Sequence, residues 1–195
     1  MAELVAVVDS ETGLVIGEVD RVVAHRDGIW HASIHVWVID DTGRILLQQR
    51  SFEKDQFPGM WDISAAGHIG AHTDGFEEVA EELGANVTAD DLLFVGILTV
   101  KNSSAQSINR ERPRVYLWLS GKNATSFKFA DGEVIGLAAV STGQLHELVH
   151  NGTVVVNVIR SDEVEIIKIS GGDLVPLGDV YWEELFTALT SAGVH

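Results

Sequence analysis

An α+β fold is predicted by three observations. Most of the chain breaks into short runs of β-branched and aliphatic residues separated by turn signals, and only a few segments carry helical periodicity. Strands and helices also fail to alternate in the regular order that builds a doubly wound parallel sheet. With 195 residues and 46% hydrophobic content the chain can bury a substantial core. It shows no fixed-period repeat, no low-complexity tract and no linker rich in Pro, Gly or Ser, so one domain over residues 1–195 is expected. Within it, residues 1–30 are read as an N-terminal hairpin, 31–149 as the core and 150–195 as a C-terminal hairpin and helix.

The elements follow in order. Residues 4–8 and 14–19 flank the turn Asp9-Ser10-Glu11-Thr12-Gly13, a hairpin signal. A second hairpin pairs 34–39 with 44–49 across Asp40-Asp41-Thr42-Gly43. Residues 51–75 hold Phe57-Pro58-Gly59-Met60-Trp61 and show little periodicity, so a long structured loop is expected, with a short strand at 63–65. Residues 76–83 are good helix formers followed by Gly84 as a stop, with Asp74 as the expected N-cap. Strands are expected at 92–100, 114–119 and 133–140, with Pro113 marking a strand start. A short helix at 141–147 precedes a hairpin of 154–159 and 164–169 around Arg160-Ser161-Asp162-Glu163. Residues 181–191 close the chain as an amphipathic helix with Trp182, Leu185, Phe186 and Leu189 on one face. Two roles fit the region after Ser141: completing the domain, or a contact with a second copy in a homodimer.

Charge and composition exclude several functions. Thirteen Lys and Arg against 29 Asp and Glu give a net charge of −16, the wrong sign for binding a phosphate backbone or an anionic membrane. A small anionic substrate would meet repulsion unless a divalent cation neutralised both sides. The absence of cysteine removes disulfides, Cys-ligated zinc and thiol catalysis. No apolar run reaches the length of a membrane span, and the first residues lack the basic and apolar regions of a signal peptide, so a cytoplasmic protein is expected.

The informative segment runs from Gly67 to Gly84. On a helix Glu78, Glu81 and Glu82 share a face, and like charges so spaced destabilise it. Two readings fit: carboxylates that bind a hard divalent cation such as Mg²⁺, with Mn²⁺ as a substitute, or a solvated acidic surface helix.

Neighbouring residues bear on that choice. Glu78-Val79-Ala80-Glu81-Glu82-Leu83-Gly84-Ala85, together with Ala65-Ala66-Gly67-His68-Ile69, resembles the signature of the Nudix hydrolase family. Similar stretches extend upstream through His25-Arg26-Asp27-Gly28, the strand around His35, Leu46-Leu47-Gln48-Gln49-Arg50 and Phe57-Pro58-Gly59-Met60-Trp61-Asp62. They resemble the branch that looks like isopentenyl-diphosphate isomerase. The match is shortened, because Gly67 and Gly84 stand four residues closer together than the family's signature glycines. Glu77 occupies the place of the signature Arg, and Thr73 that of its earlier Glu, so the usual Arg–Glu brace of loop onto helix is missing.

The resemblance implies an α/β/α sandwich with a mixed central sheet and a Mg²⁺-dependent attack of water on the phosphorus of a small diphosphate-containing substrate. By carry-over the metal is held by Gly67, Glu78, Glu81 and Glu82, and the catalytic groups are Glu78, Glu82 and a general base on a distant loop, for which Glu111 is preferred over Glu133. Isomerisation is disfavoured, since the isomerases this branch resembles use a cysteine in proton transfer and this chain has none. Arg26, Arg50 and His68 are the expected substrate-binding groups; Lys54 is the remaining basic residue near them. His25, His31 and His35 read as hydrogen-bonded structural imidazoles in strand-like contexts. The rival to a hydrolase is a catalytically impaired Nudix fold that serves as a binding module.

Overall fold

The computed structural model describes residues 3–103, 107–129, 132–160 and 163–195. The first hairpin forms as expected from β1 (Leu4–Val8) and β2 (Val15–Asp20), paired antiparallel. The chain then departs from the sequence reading, for Arg21–Asp27 is a helix, α1, not an extension of the hairpin. Its ends explain it: the Asp20 carboxylate accepts the Val22 N–H, and Gly28 closes the C-terminus at φ 64°, a left-handed conformation that glycine adopts without strain. These caps outweigh the β-branched Val22 and Val23, and they place His25 on a helix.

The central hairpin is β3 (His31–Ile39) and β4 (Ile45–Arg50). Its turn is held by Asp40, whose Oδ1 accepts from the backbone N–H groups of Thr42 and Arg44. The long loop carries two short strands, β5 (Trp61–Asp62) and β6 (Ala65–His68), in place of the one expected at 63–65. Helix α2 (Glu77–Leu83) follows, ended by Gly84 at φ 63°. Asp74 does accept a backbone N–H, but from Phe76 just before the helix, so it does not cap α2.

Strands β7 (Leu93–Ile97) and β8 (Val100–Ser103) replace one expected strand, and β9 (Ile108–Leu119) begins six residues earlier than expected. Pro113 therefore lies within β9 and does not start it. It sits at the junction between the β7 and β8 ladders, where its carbonyl accepts the Leu98 N–H, so its missing donor is wanted neither by β7 nor by β8. The rest of the chain forms β10 (Val134–Val140), α3 (Thr142–Val149), β11 (Thr153–Arg160), β12 (Glu163–Ser170) and α4 (Asp179–Ser191). A capping box between Ser141 and Gln144 opens α3. Ser161 and Asp162 of the expected last turn lie outside the described residues.

One sheet gathers these strands in the order β12-β11-β10-β4-β3-β1-β2. It is mixed: β3 runs parallel to β9 along His31–Ile39 and antiparallel to β6. All nine residues of β3 are buried, because helices cover both faces. On one face Trp37, Ile39, Ile45 and Leu47 pack against Leu145, Tyr181, Leu185 and Leu189 of α3 and α4. On the other Ile34, Val36, Val38 and Leu46 pack against Val79 and Leu83 of α2. The result is the expected α+β architecture, an α/β/α sandwich with a mixed central sheet. The segment after Ser141 contributes two strands to this sheet and two helices to this core. Among the described residues no helix is long and apolar enough to cross a membrane.

Candidate functional site

The alternation of β3 builds the site. Side chains two apart point to one face, and on that face the strand carries His31, Ser33 and His35 before it turns apolar at Trp37. Beside it, in the parallel register, β9 places Glu111 opposite His31, while antiparallel β6 places Gly67 and His68 opposite Ile34 and Ser33. Helices α1 and α2 add His25 from one side and Glu78 and Glu81 from the other. Together they surround a cleft of about 510 Å³.

Gly67 and Glu78 meet here through a close approach. A β-carbon on Gly67 would lie 2.1 Å from the Glu78 carboxylate, so only a residue without a side chain lets that carboxylate lie against β6. Burial, reinforced by the negative charge of Glu81, pushes the Glu78 carboxyl up to about 7. Glu81 stands exposed at the cleft.

Glu82 is turned differently. It is buried, its Oε2 accepts the Ala66 N–H at 2.8 Å and a Gln48 amide N–H at 3.2 Å, and burial pushes its carboxyl up to about 8. It fastens α2 to the strand that carries Gly67, the task for which the signature Arg–Glu brace is missing. Helical spacing puts Glu78, Glu81 and Glu82 on one face, but Oε2 of Glu82 turns to the backbone of β6 and to the Gln48 amide.

Glu111 lies on β9 and not on a loop, because β9 begins earlier than the sequence suggested. Its Oε2 accepts from Ser33 Oγ and its Oε1 from Asn109 Nδ2, each at 2.8 Å. Three imidazoles face it: His35 Nε2 at 3.6 Å, and His31 Nε2 and His68 Nε2 at 3.9 Å. Burial alone would push its carboxyl up, but the His35, His68 and His31 imidazoles around it hold it well below the ordinary carboxylate value.

His25 and His31, read from the sequence as structural imidazoles, stand beside the expected His68. His25, His31 and His68 each bring a ring nitrogen to within 4.8 Å of the others, a spacing that can hold a metal ion. His31 Nδ1 lies 2.8 Å from the Ile29 carbonyl, which can only accept, so the proton is on Nδ1 and the Nε2 lone pair is free. That Nε2 is buried without a hydrogen-bond partner, next to Glu111. Burial first, then the charges of the neighbouring imidazoles, lowers His25 to about 4, and burial lowers His31 as well. The carbonyl-oriented ring and orphaned lone pair of His31, beside the ring nitrogens of His25 and His68, make a donor set that fits a divalent cation. For His31 the sequence carried a signal, the polar residue at every second position of an otherwise apolar strand; for His25 it carried none.

The expected substrate-binding groups divide. Arg50 and His68 line the cleft. Arg26 does not: it is exposed on α1 and makes a two-pronged contact with its neighbour Asp27 at 2.7 Å, since the helix turns it to solvent. Arg21, Arg50 and Lys54 line the cleft, each against a carboxylate: Glu3 at 3.0 Å, Asp62 at 2.7 Å, and Glu133.

Fold and site together define a class of protein: an α/β/α sandwich in which a short acidic helix is laid against a glycine-bearing strand beside a cleft of carboxylates and imidazoles. The family comparison is specific, for the NUDIX domain matches residues 29–156. The chain belongs to the Nudix hydrolase family. It is 31% identical over 155 residues to an uncharacterized Nudix hydrolase of Clostridium acetobutylicum, covering 76% of this chain and 75% of that protein. It is 31% identical over 151 residues to an isopentenyl-diphosphate Delta-isomerase of Streptomyces coelicolor, covering 75% of each. Over 100 residues it is 41% identical to Nudix hydrolase 3 of Arabidopsis thaliana, 48% of this chain and 13% of that one. Among solved structures a Deinococcus radiodurans protein shares the fold with a TM-score of 0.52 at 20% identity, covering 76% of this chain and 88% of that chain.

Proposed function

We propose that this chain is a divalent-cation-dependent hydrolase that cleaves the diphosphate linkage of a small organic or nucleoside diphosphate derivative. The observation that carries the reading is the charge pairing of the cleft: its arginines and lysine each face a carboxylate, while Glu78, Glu81 and the imidazoles add further metal-type donors. A diphosphate entering such a cleft alone meets repulsion, and a cation entering with it removes the repulsion.

Gly67, Glu78 and Glu81 would hold a cation on the helix side, with Mg²⁺ or Mn²⁺ the hard ions suited to oxygen donors. His25, His31 and His68 offer a nitrogen-rich set on the opposite side. When bound, the cation neutralises phosphate charge and lowers the pKa of water. With the cation on one of its oxygens, Glu78 would accept the proton of the attacking water through the other; its carboxyl near 7 belongs to the cation-free cleft. The new bond joins the water oxygen to phosphorus, and the bond from that phosphorus to the bridging oxygen breaks. Glu82 takes no proton here; it holds β6 so that Gly67 and Glu78 stay in contact. Glu111, ionised and held by Ser33 and Asn109, is the weaker candidate for base. Arg50 and His68 would contact substrate phosphate as the diphosphate displaces part of their present pairing.

The isomerase named among the relatives is a second activity to weigh. No cysteine occurs anywhere in the chain to serve as a proton donor at carbon. Hydrolysis is therefore the reading adopted.

The test is phosphate release from nucleoside di- and triphosphates, dinucleotides, nucleotide sugars and prenyl diphosphates, with Mg²⁺ or Mn²⁺. Wild type should turn over at least one of them, and Glu78→Gln should lower that rate by about 10²-fold or more. Silence across the panel with cation binding retained in calorimetry would point instead to a binding module.

A further inference from the structure

The C-terminal helix touches a residue of the cleft, His35, through the Tyr181 hydroxyl. Tyr181 of α4 is 1% exposed, and its oxygen lies 2.9 Å from His35 Nδ1 and 2.9 Å from Trp37 Nε1. His35 and Trp37 sit two apart on β3, so both rings leave the strand on the face that α4 covers. The other nitrogen of His35, Nε2, faces Glu111 Oε2 at 3.6 Å.

Counting protons orders this chain. An indole N–H can only donate, so Trp37 donates to the Tyr181 oxygen. The phenol then has one proton to place, and His35 Nδ1 is the acceptor within reach. Burial raises the Tyr181 hydroxyl well above its ordinary value, which keeps that proton available for donation. If His35 carried its proton on Nδ1, the phenol proton would be buried with no acceptor, a costly arrangement. Nδ1 therefore accepts, and the imidazole proton stands on Nε2, aimed at Glu111.

We propose that Tyr181 is a positioning residue for the cleft: oriented by Trp37, its hydroxyl fixes His35 as the Nε2–H tautomer, so that this N–H faces the Glu111 carboxylate that Ser33 and Asn109 hold by hydrogen bonds. The C-terminal helix, which lies far from α2 in sequence and across the sheet from it, is thereby part of the site's polar framework. The role in turnover rests on the hydrolase reading; the tautomer does not.

Long-range proton–nitrogen correlation on nitrogen-15-labelled protein reads the His35 tautomer directly, without substrate, above neutral pH. Wild type should show a protonated Nε2 and a bare Nδ1, and Tyr181→Phe should shift the pattern toward protonated Nδ1 or a mixture. In Glu111→Gln the wild-type tautomer should persist, because the phenol sets it and not the carboxylate. A protonated Nδ1 in wild type, an unchanged pattern in Tyr181→Phe, or a switch in Glu111→Gln overturns the assignment. Should Tyr181→Phe fail to fold, wild type and Glu111→Gln still decide. On a substrate that wild type cleaves, Tyr181→Phe should lower kcat about tenfold with KM unchanged; a fall in neither, or in KM alone, contradicts a positioning role. Absence of turnover in wild type would sink the hydrolase reading and leave the tautomer result standing.

Discussion

At the scale of single residues, Gly67 sets the site through the atom it lacks. Gly67→Ala brings a β-carbon 2.1 Å from the Glu78 carboxylate and must displace it. The expected result is a folded protein whose cation-stimulated turnover falls about 10²-fold, the cost of moving a reacting group by an ångström or so. Circular dichroism beside the rate measurement separates this from unfolding, and an unchanged rate would show that Glu78 need not lie against β6. Glu82 behaves otherwise, since its burial makes the protonated carboxyl the comfortable form. Glu82→Ala strands the Ala66 N–H and should cost about 1–3 kcal/mol in denaturant titrations. Glu82→Gln can still accept that N–H and should cost little near neutral pH. The acidic residues of α2 were legible from spacing, and so was the pairing of Gly67 with them through resemblance. What spacing could not show is the direction each carboxylate takes. Glu82 turns inward because Ala66 offers a backbone donor there, a partner that exists only once β6 is in place. The histidines were legible only in part, at His68, because His25, His31 and His68 come from three elements and the caps that make a helix of the segment around His25 outweigh its strand-favouring residues.

Among the elements, α2 depends most on its surroundings. A helix of seven residues is too short to persist alone, and its support is Val79 and Leu83 buried against β3 and β4. Leu83→Ala should therefore cost roughly 2–5 kcal/mol in a denaturant titration, and at concentrations where the variant stays folded should weaken cation binding as well. Stability lost without any change in cation affinity would separate α2 from the site. Strongly alternating or apolar strands such as β3, β4, β11 and β12 were legible, because both their period and their turns are local. The errors fell where long-range pairing decides. Pro113 suggested a strand start, but β9 runs through it because the gap between β7 and β8 leaves the proline nitrogen unopposed. Helix α1 was missed because Val22 and Val23 favour strand, whereas the Asp20 cap and the Gly28 stop decide the outcome.

Across the whole molecule, the net charge of −16 and the buried carboxyls pull in one direction. Glu78 near 7 and Glu82 near 8 both lie above the ordinary value of 4.5, so the folded chain binds more protons than the unfolded one as those groups titrate. Their stabilising effect is full below about 4.5 and is lost as pH rises through 7 and 8. His25, near 4 in the folded protein against 6.5 ordinarily, acts oppositely: its contribution is present above 6.5 and is lost as pH falls toward 4. Between 6.5 and 8 the carboxyls prevail, and the metal-free protein should show a falling Tm as pH rises, less steeply in Glu82→Gln. A Tm that rises over that interval in chelator would mean that these carboxyls are already ionised or paired. The measurement that bears most directly on the central claim is phosphorus NMR of a diphosphate substrate in oxygen-18-labelled water, with Mg²⁺ and then with excess chelator. Divalent-cation-dependent hydrolysis predicts new phosphate resonances that appear only with the cation and carry the isotope shift of oxygen-18. Cleavage undiminished by chelator, or a substrate consumed with its diphosphate intact and no oxygen-18 on phosphorus, would contradict it.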